Sequence, residues 1–391
     1  MPALNSSVDV VIVGAGLVGA SLARALARSD LGIALVEPAP PAMPAADWDA
    51  RMYALSPASQ GFLDRIGVWE MLPAERLAPV REMKIFGDRA AELGFSSYDA
   101  GVERLATIVE SGRVQHALWT LLAGQNNVRR YACVRPVGAQ FRTDGVILSL
   151  DDGSTLQTRL LIGADGARSW VRETAGIAAR ETGFGQFGIA ANFSCEHGHH
   201  GIAYQWFRED GILAFLPMPG NRLSIVWSTP DEHARELLAL ERAAFSARVE
   251  AAGAGVLGVL ELITGPTAFA LESLAADAMS AARVALVGDA AHVLHPLAGQ
   301  GVNLGFGDAE ALAQVLCERG PVRDPGERLL LRRYGRRRAE AILAMRVMTT
   351  GLQRLFAARV PGLARMRNAG LELTDRLPVL KNLLVRQALA N

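Results

Sequence analysis

Gly14, Gly16 and Gly19 stand as GxGxxG, and Glu37 follows roughly 20 residues on, a set of residue types suited to an adenine dinucleotide. The glycines permit a tight turn and let the backbone approach a pyrophosphate at a helix N-terminus. An acid at the end of the next strand can accept the ribose hydroxyl. Two further glycine and acid motifs lie downstream. GADGARSWVR holds Gly163, Asp165, Gly166 and Arg168, while GDAAHVLHPLAGQGVN holds Gly288, Asp289, His292, Pro296, Gly299, Gln300, Gly301 and Asn303. A second GxGxxG match, Gly183, Gly185 and Gly188, has no apolar strand before it and the strand-like IAANFSC after it, so it reads as a loop entering a sheet.

The elements that must position these residues follow from periodicity. DVVIV, the glycine loop, SLARALARS and GIALVE make a βαβ unit at the N-terminus. Residues 102–124 read mainly as a helix, and 144–164 as a pair of strands ending in RLLIGADGA. From 186 to 228 alternation predicts an antiparallel sheet, and a helical stretch occupies 230–255. RVALVGDAAH then restores a buried strand and glycine turn before the helical VNLGFGDAEALAQVL, and helical patterns dominate from 326 onward.

At 391 residues, half of them hydrophobic and with 40 basic residues against 40 acidic, the chain reads as soluble and globular, with no global argument for nucleic acid or disorder. Cys133, Cys195 and Cys317 form no CxxC pair and fit a reducing cytoplasm. His197, His199 and His200 lie in CEHGHHG without partnered acids or cysteines, so a solvated turn is expected there and no metal site. No stretch is long and uncharged enough to span a bilayer.

The three dinucleotide motifs together with DARMYALSPAS, the Gly67–Trp69 tripeptide GVW, FGQFGIAAN, AFLPMPGNRLSIVW and YGRRRAEAI carry a resemblance over nearly the whole chain. The sequence resembles the para-hydroxybenzoate-hydroxylase-like flavoprotein monooxygenases, and within them the ubiquinone-biosynthesis hydroxylases of UbiH/UbiF/VisC type. The resemblance implies an α/β fold in which a Rossmann-like, glutathione-reductase-like FAD-binding domain (1–75, 100–180 and 275–325) interleaves with a mixed, largely antiparallel substrate domain (76–99 and 181–274). A C-terminal helical segment covers 326–391.

By the same resemblance Arg51 approaches the flavin or its pyrophosphate and Asp289 accepts a hydrogen bond from the ribityl chain. An arginine fork neutralises phosphate charge, and a carboxylate next to glycine takes a sugar hydroxyl without crowding. Gly299, Gln300, Gly301 and Asn303 are expected near the isoalloxazine ring, and Arg113 and Gln115 as flavin contacts. The subfamily has Asn after the acid at 110, where this chain has Ser111. Asp165 and Arg168 resemble a motif shared by FAD and the reducing nucleotide, with a structural salt bridge between them as the competing reading. His292 and Pro296 are the candidates nearest the chemistry, with packing or capping as the alternative for the histidines.

The implied reaction uses NADPH or NADH to reduce FAD, adds oxygen to give a flavin hydroperoxide, and hydroxylates a phenolic, polyprenylated quinone precursor. Tyr204, Trp206 and Phe215 alternate on the substrate sheet, as pocket lining or as core. Residues 331–391 carry 13 Lys or Arg against 3 Asp or Glu, and a stripe at Ile342, Met345, Met348, Leu352 and Leu355 runs at helical spacing. It is expected either to pack on the enzyme or to dock on an anionic inner membrane face or a biosynthetic complex. A flavin-dependent isoprenoid reductase and a non-catalytic FAD-bound scaffold are the competing functions. Halogenation is disfavoured because the only lysines are Lys84 and Lys381 and no WxWxIP run occurs.

Overall fold

A computed structural model describes residues 5–87, 92–294 and 301–357. β1 (Asn5–Val13), α1 (Leu17–Ala25) and β2 (Ile33–Glu37) form the expected βαβ unit, parallel from Val10 opposite Ile33 to Val13 opposite Val36. The run Val10–Val13 is apolar throughout because both faces are covered: Val10 and Ile12 enter the core beneath the helices, Val11 and Val13 the core on the other side.

β3 (Met52–Leu55) leads into α2 (Pro57–Arg65), whose Ser56 cap accepts from Ser59 N at 3.1 Å with proline at the first helical position. β4 (Ala78–Val80), β5 (Glu82–Phe86) and β6 (Glu92–Ser96) follow. β7 (Ala106–Glu110) then runs antiparallel to both β3 and β4, and α3 (Ser111–Ala123) begins after it. The expectation of a helix across 102–124 is therefore corrected in its first part: ATIV is a β-branched run buried as a central strand.

β8 (Val128–Ala132) extends the first sheet beside β2, and β9 (Pro136–Phe141) and β10 (Val146–Leu150) lead into β11 (Thr155–Gly163), which lies parallel to β1. Beyond the short α4 (Trp170–Thr174), β12 (Ala179–Cys195), β13 (Ile202–Arg208), β14 (Gly211–Met218) and β15 (Arg222–Pro230) build the second sheet. The glycines 183–188 sit inside β12, where the register with its neighbour shifts between Gly183 and Gln186 and Gly185 has φ +63°. They form a bulge within a strand, not the entering loop expected.

α5 (Asp231–Leu238) and α6 (Arg242–Ala252) cover one face of that sheet before β16 (Leu260–Ala276) pairs with β12. The chain then returns to the first sheet through β17 (Ser280–Ala281) and β18 (Val284–Leu286), gives β19 (His292–Val293) to the second, and continues into α7 (Gly301–Cys317) and α8 (Arg328–Ala357). The two sheets run β17-β18-β11-β1-β2-β8 and β19-β16-β12-β15-β14-β13-β5-β6. The strand ends of the first thus meet the second where the Gly288 turn crosses between them.

Candidate active site

The three glycines of the first motif have three separate reasons. Gly14 has φ +99°, and a Cβ there would lie 2.4 Å from the Ala164 carbonyl oxygen at the end of β11. A Cβ on Gly19 would lie 2.0 Å from the Gly14 oxygen, so Gly19 lets α1 close onto the loop. Gly16 is different: a Cβ there meets nothing within 4 Å, and this residue caps α1 without a side-chain bond. Open space in front of unsatisfied amides at a helix N-terminus is a cradle for phosphate. Glu37 stands beside it, accepting from Ala15 N at 2.6 Å and from Ala39 N at 2.8 Å.

Asp289 lies just past β18, after Gly288 in the left-handed region at φ +59°. Its side chain is exposed to solvent, yet the protein encloses it so closely that burial, the largest influence, pushes its carboxyl above the ordinary range. His292 and Arg51 pull the other way, and Asp308 adds to the rise. A group both reached by water and ringed by protein stands on the wall of a cleft.

Arg51 faces the same place. Its backbone is fixed from both sides, by Arg51 N on Asp49 Oδ1 at 2.9 Å and Ser111 N on the Arg51 carbonyl at 3.0 Å, while its side chain is exposed and in no ion pair among the described residues. Tyr53, two residues on, is part-buried, and its phenol is raised chiefly by burial.

Glu110, in the sequence only the acid before Ser111, organises the approach to Arg51. Only 2% exposed, it accepts from Arg76 Nη2 at 2.6 Å and Nε at 2.8 Å, from Arg113 Nε at 2.7 Å and from Asp49 N at 3.0 Å. Burial pushes this carboxyl up, but Arg76, the Asp49 amide and Arg113 together hold it below its ordinary range. The outer arms of Arg76 and Arg113 take the carbonyls of Ala45, Ala46 and Asp47, and Arg76 lies over the Trp48 ring at 3.6 Å. Arg113 thus secures the strap that precedes Arg51. Gln115 Nε2 reaches the Ala15 carbonyl of the glycine loop at 3.5 Å.

Asp165 accepts from the hydroxyl of Ser169, the N-cap of α4, and from Val171 N in its first turn at 3.0 Å, and burial above all raises its carboxyl. Arg168 is exposed and forms no ion pair among the described residues, so the salt bridge weighed for this pair is not made. The turn after Gly163 packs on the glycine loop, the Asp165 amide lying 2.9 Å from a Cβ built at Gly14.

Two residues of the third motif are turned inward. Asn303, fully buried, donates from Nδ2 to the Ala54 carbonyl at 3.0 Å and accepts from Ser56 N at 3.0 Å, clamping the β3–α2 connection. His292, 4% exposed, has Nε2 2.6 Å from Asp308 Oδ2 and belongs to a buried charged cluster, so its place is structural packing and not presentation to a substrate. Gly301 opens α7, and a Cβ there meets nothing within 4 Å. His295, Pro296, Gly299 and Gln300 lie outside the described residues.

On the second sheet the aromatic candidates face away from the cleft. Tyr204, Trp206 and Phe215 join Ile189, Phe193 and Trp227 in the core against α5 and α6, with Trp206 stacked between Phe86 at 5.5 Å and Tyr204 at 5.7 Å. The opposite face carries Asn192, Gln205, Ala214, Leu216 and Val226. It points toward Arg51: Asn192 Nδ2 donates to the Asp49 carbonyl at 2.8 Å, and Ala203 and Met218 pack with Met52 and Ile108. His199 Nε2 lies 2.7 Å from the Met218 carbonyl and its Nδ1 accepts from Gly201 N at 3.1 Å, so this ring pins its turn to the β14–β15 hairpin.

A family model described as an FAD binding domain matches residues 7–349. The chain is 37% identical over 385 residues to the ubiquinone hydroxylase UbiL of Rhodospirillum rubrum, covering 97% of this chain and 89% of that one. It is 34% identical to the 3-demethoxyubiquinol 3-hydroxylase of Escherichia coli, covering 98% and 99%. Among solved structures, a mutant of PqsL from P. aeruginosa matches with TM-score 0.77 and 25% identity over 94% of this chain and 99% of that one. The p-nitrophenol 4-monooxygenase PnpA of Pseudomonas putida matches in fold with TM-score 0.81 at 18% identity, covering 99% of both.

Proposed function

The chain belongs to the flavoprotein family defined by this FAD binding domain, and from that premise we propose an FAD-dependent monooxygenase that hydroxylates a phenolic, polyprenylated quinone precursor in ubiquinone biosynthesis, with NADPH or NADH as reductant. The observation that carries the reading is the convergence of an open glycine cradle at Gly16, the exposed guanidinium of Arg51, in no ion pair among the described residues, and the accessible but enclosed Asp289. These residues fit FAD. The α1 amides and Arg51 would take the pyrophosphate and its surroundings, Glu37 the adenosine ribose and Asp289 the ribityl chain.

Bound FAD supplies hydride acceptance and oxygen activation. The chain's own part is to orient the ring and exclude water. The sheet face carrying Gln205, Ala214, Leu216 and Val226, set toward Arg51, provides a largely apolar wall for an aromatic ring, while the Glu110 strap holds Arg51 from the other side. In this proposal the described residues of 1–75, 100–180 and 275–325 make the cofactor side, with β19 lent to the other sheet, and those of 76–99 and 181–274 the substrate side.

No helix among the described residues is long and apolar enough to cross a membrane. Peripheral association through the C-terminal helix is part of the proposal. Met345, on the stripe, is 2% exposed and packs inward, whereas Leu343 at 62% and Val347 at 64% face outward beside Arg346. The docking face is therefore this outer one.

The test is anaerobic reduction of the purified flavoprotein by NAD(P)H in the presence of phenols and prenylphenols, followed by admission of oxygen and weighing of the product. The reading expects a prenylphenol to accelerate reduction or to couple it to product. Flavin that no reduced nucleotide can reduce, with any phenol present, would instead mark a scaffold.

A further inference from the structure

Tyr334 and Arg338 stand one turn apart on α8, and both reach the turn that carries Asp289. Tyr334 is fully buried and donates from its hydroxyl to the carbonyl of Leu286, the last residue of β18, at 2.8 Å. Arg338 donates from Nε to Asp308 Oδ1 at 2.7 Å and from Nη2 to the Leu304 carbonyl at 3.0 Å. The other oxygen of Asp308 accepts from Gly288 N at 3.0 Å and lies 2.6 Å from His292 Nε2.

One wholly buried carboxylate therefore holds both ends of the segment Gly288–His292, with Asp289 between them. A carboxylate taken out of water in this way needs a charged partner, and Arg338 supplies one from a helix far along the chain. Gly307 makes the room: a Cβ there would lie 2.8 Å from the guanidinium.

We infer that α8 is a working part of the cofactor site, with Tyr334 and Arg338 as positioning residues that set Asp289 through β18 and Asp308. Docking of α8 and binding of FAD then strengthen one another, because each selects the same arrangement of the Gly288 turn. The inference rests on the reading of Asp289 as a flavin contact.

The experiment is FAD titration of the deflavinated chain, followed by flavin fluorescence, for Arg338→Met, Arg338→Lys, Asp289→Ala and the Arg338→Met/Asp289→Ala double variant. Arg338→Met is expected to weaken FAD about tenfold, with Arg338→Lys recovering part of the loss, and the effect is expected to shrink to under about twofold in the Asp289→Ala background. Unchanged affinity in Arg338→Met, or an equal loss in both backgrounds, would overturn the inference alone. Unchanged affinity in Asp289→Ala would overturn the contact assignment and the inference with it. Should Arg338→Met fail to fold, hydrogen exchange on the unaltered chain decides: FAD must slow amide exchange in α8 around 334–345, and no slowing contradicts the coupling.

Discussion

At the scale of single residues, the glycines carry the sharpest prediction because the same substitution has opposite meanings at two of them. Gly14→Ala forces a side chain into the left-handed region and against the Ala164 carbonyl, and is expected to cost folding stability by about 2 kcal/mol or more. Gly16→Ala meets open space, so its thermal midpoint without flavin should match that of the unaltered chain while FAD affinity falls by at least about tenfold. Calorimetry with flavin removed, paired with FAD titration, separates the two; unchanged affinity in Gly16→Ala would remove the phosphate from that space. The glycines and Asp289 were legible because their demands are local: a turn, a close approach, a strand end. His292 and Asn303 were not. Their partners, Asp308, Ala54 and Ser56, are set by packing of α7, and nothing in GDAAH or GVN says which way these side chains will turn.

At the scale of elements, the strap 45–51 depends on one carboxylate. Glu110 has its folded carboxyl held below the ordinary range, so its contribution is complete above the unfolded value near about 4.3 and is lost as pH falls through the lower folded value. Glu110→Gln is expected to cost about 2 kcal/mol at pH 7, with the difference from the unaltered chain closing in acid below the folded value. Denaturant unfolding across that range measures it, and a pH-independent difference would contradict the ionic account. Periodicity located the N-terminal βαβ unit, β10 and β11, the strands β12–β15, the helices α5 and α6, and β18 with α7 and α8, since their apolar patterns reflect covered faces; it left β3–β6, β8, β9 and the long β16 unassigned. It failed where it is silent in principle. Alternation in β13 and β14 gives two faces without saying which is inward, so Tyr204, Trp206 and Phe215 were read as pocket or core alike, and only the helices α5 and α6 decide. The run ATIVESGR passes from strand to helix with no intervening loop, its Ser111 and Gly112 already in the first turn of α3, which hid β7 and with it the setting of Glu110.

At the scale of the whole molecule, two interleaved sheets form one cleft whose floor is braced by the C-terminal helix, and that helix turns a basic, partly apolar face outward. Leu343→Asp with Val347→Asp is expected to leave flavin content and turnover of a soluble phenol unchanged while lowering sedimentation with anionic vesicles several-fold. Equal partition of the altered and unaltered chains onto those vesicles would refute peripheral association through this face. The central claim, oxygen insertion into an aromatic ring at the Arg51 and Asp289 cleft, is met most directly by single turnover with 18O2. The chain is reduced by NADPH or NADH with a prenylated phenol bound, then mixed with labelled oxygen, and the product is weighed. The account predicts one 18O atom in the ring product and none from labelled water. Product that gains two hydrogens without oxygen would make the chain a reductase, and label arriving from water would contradict oxygen activation in this cleft.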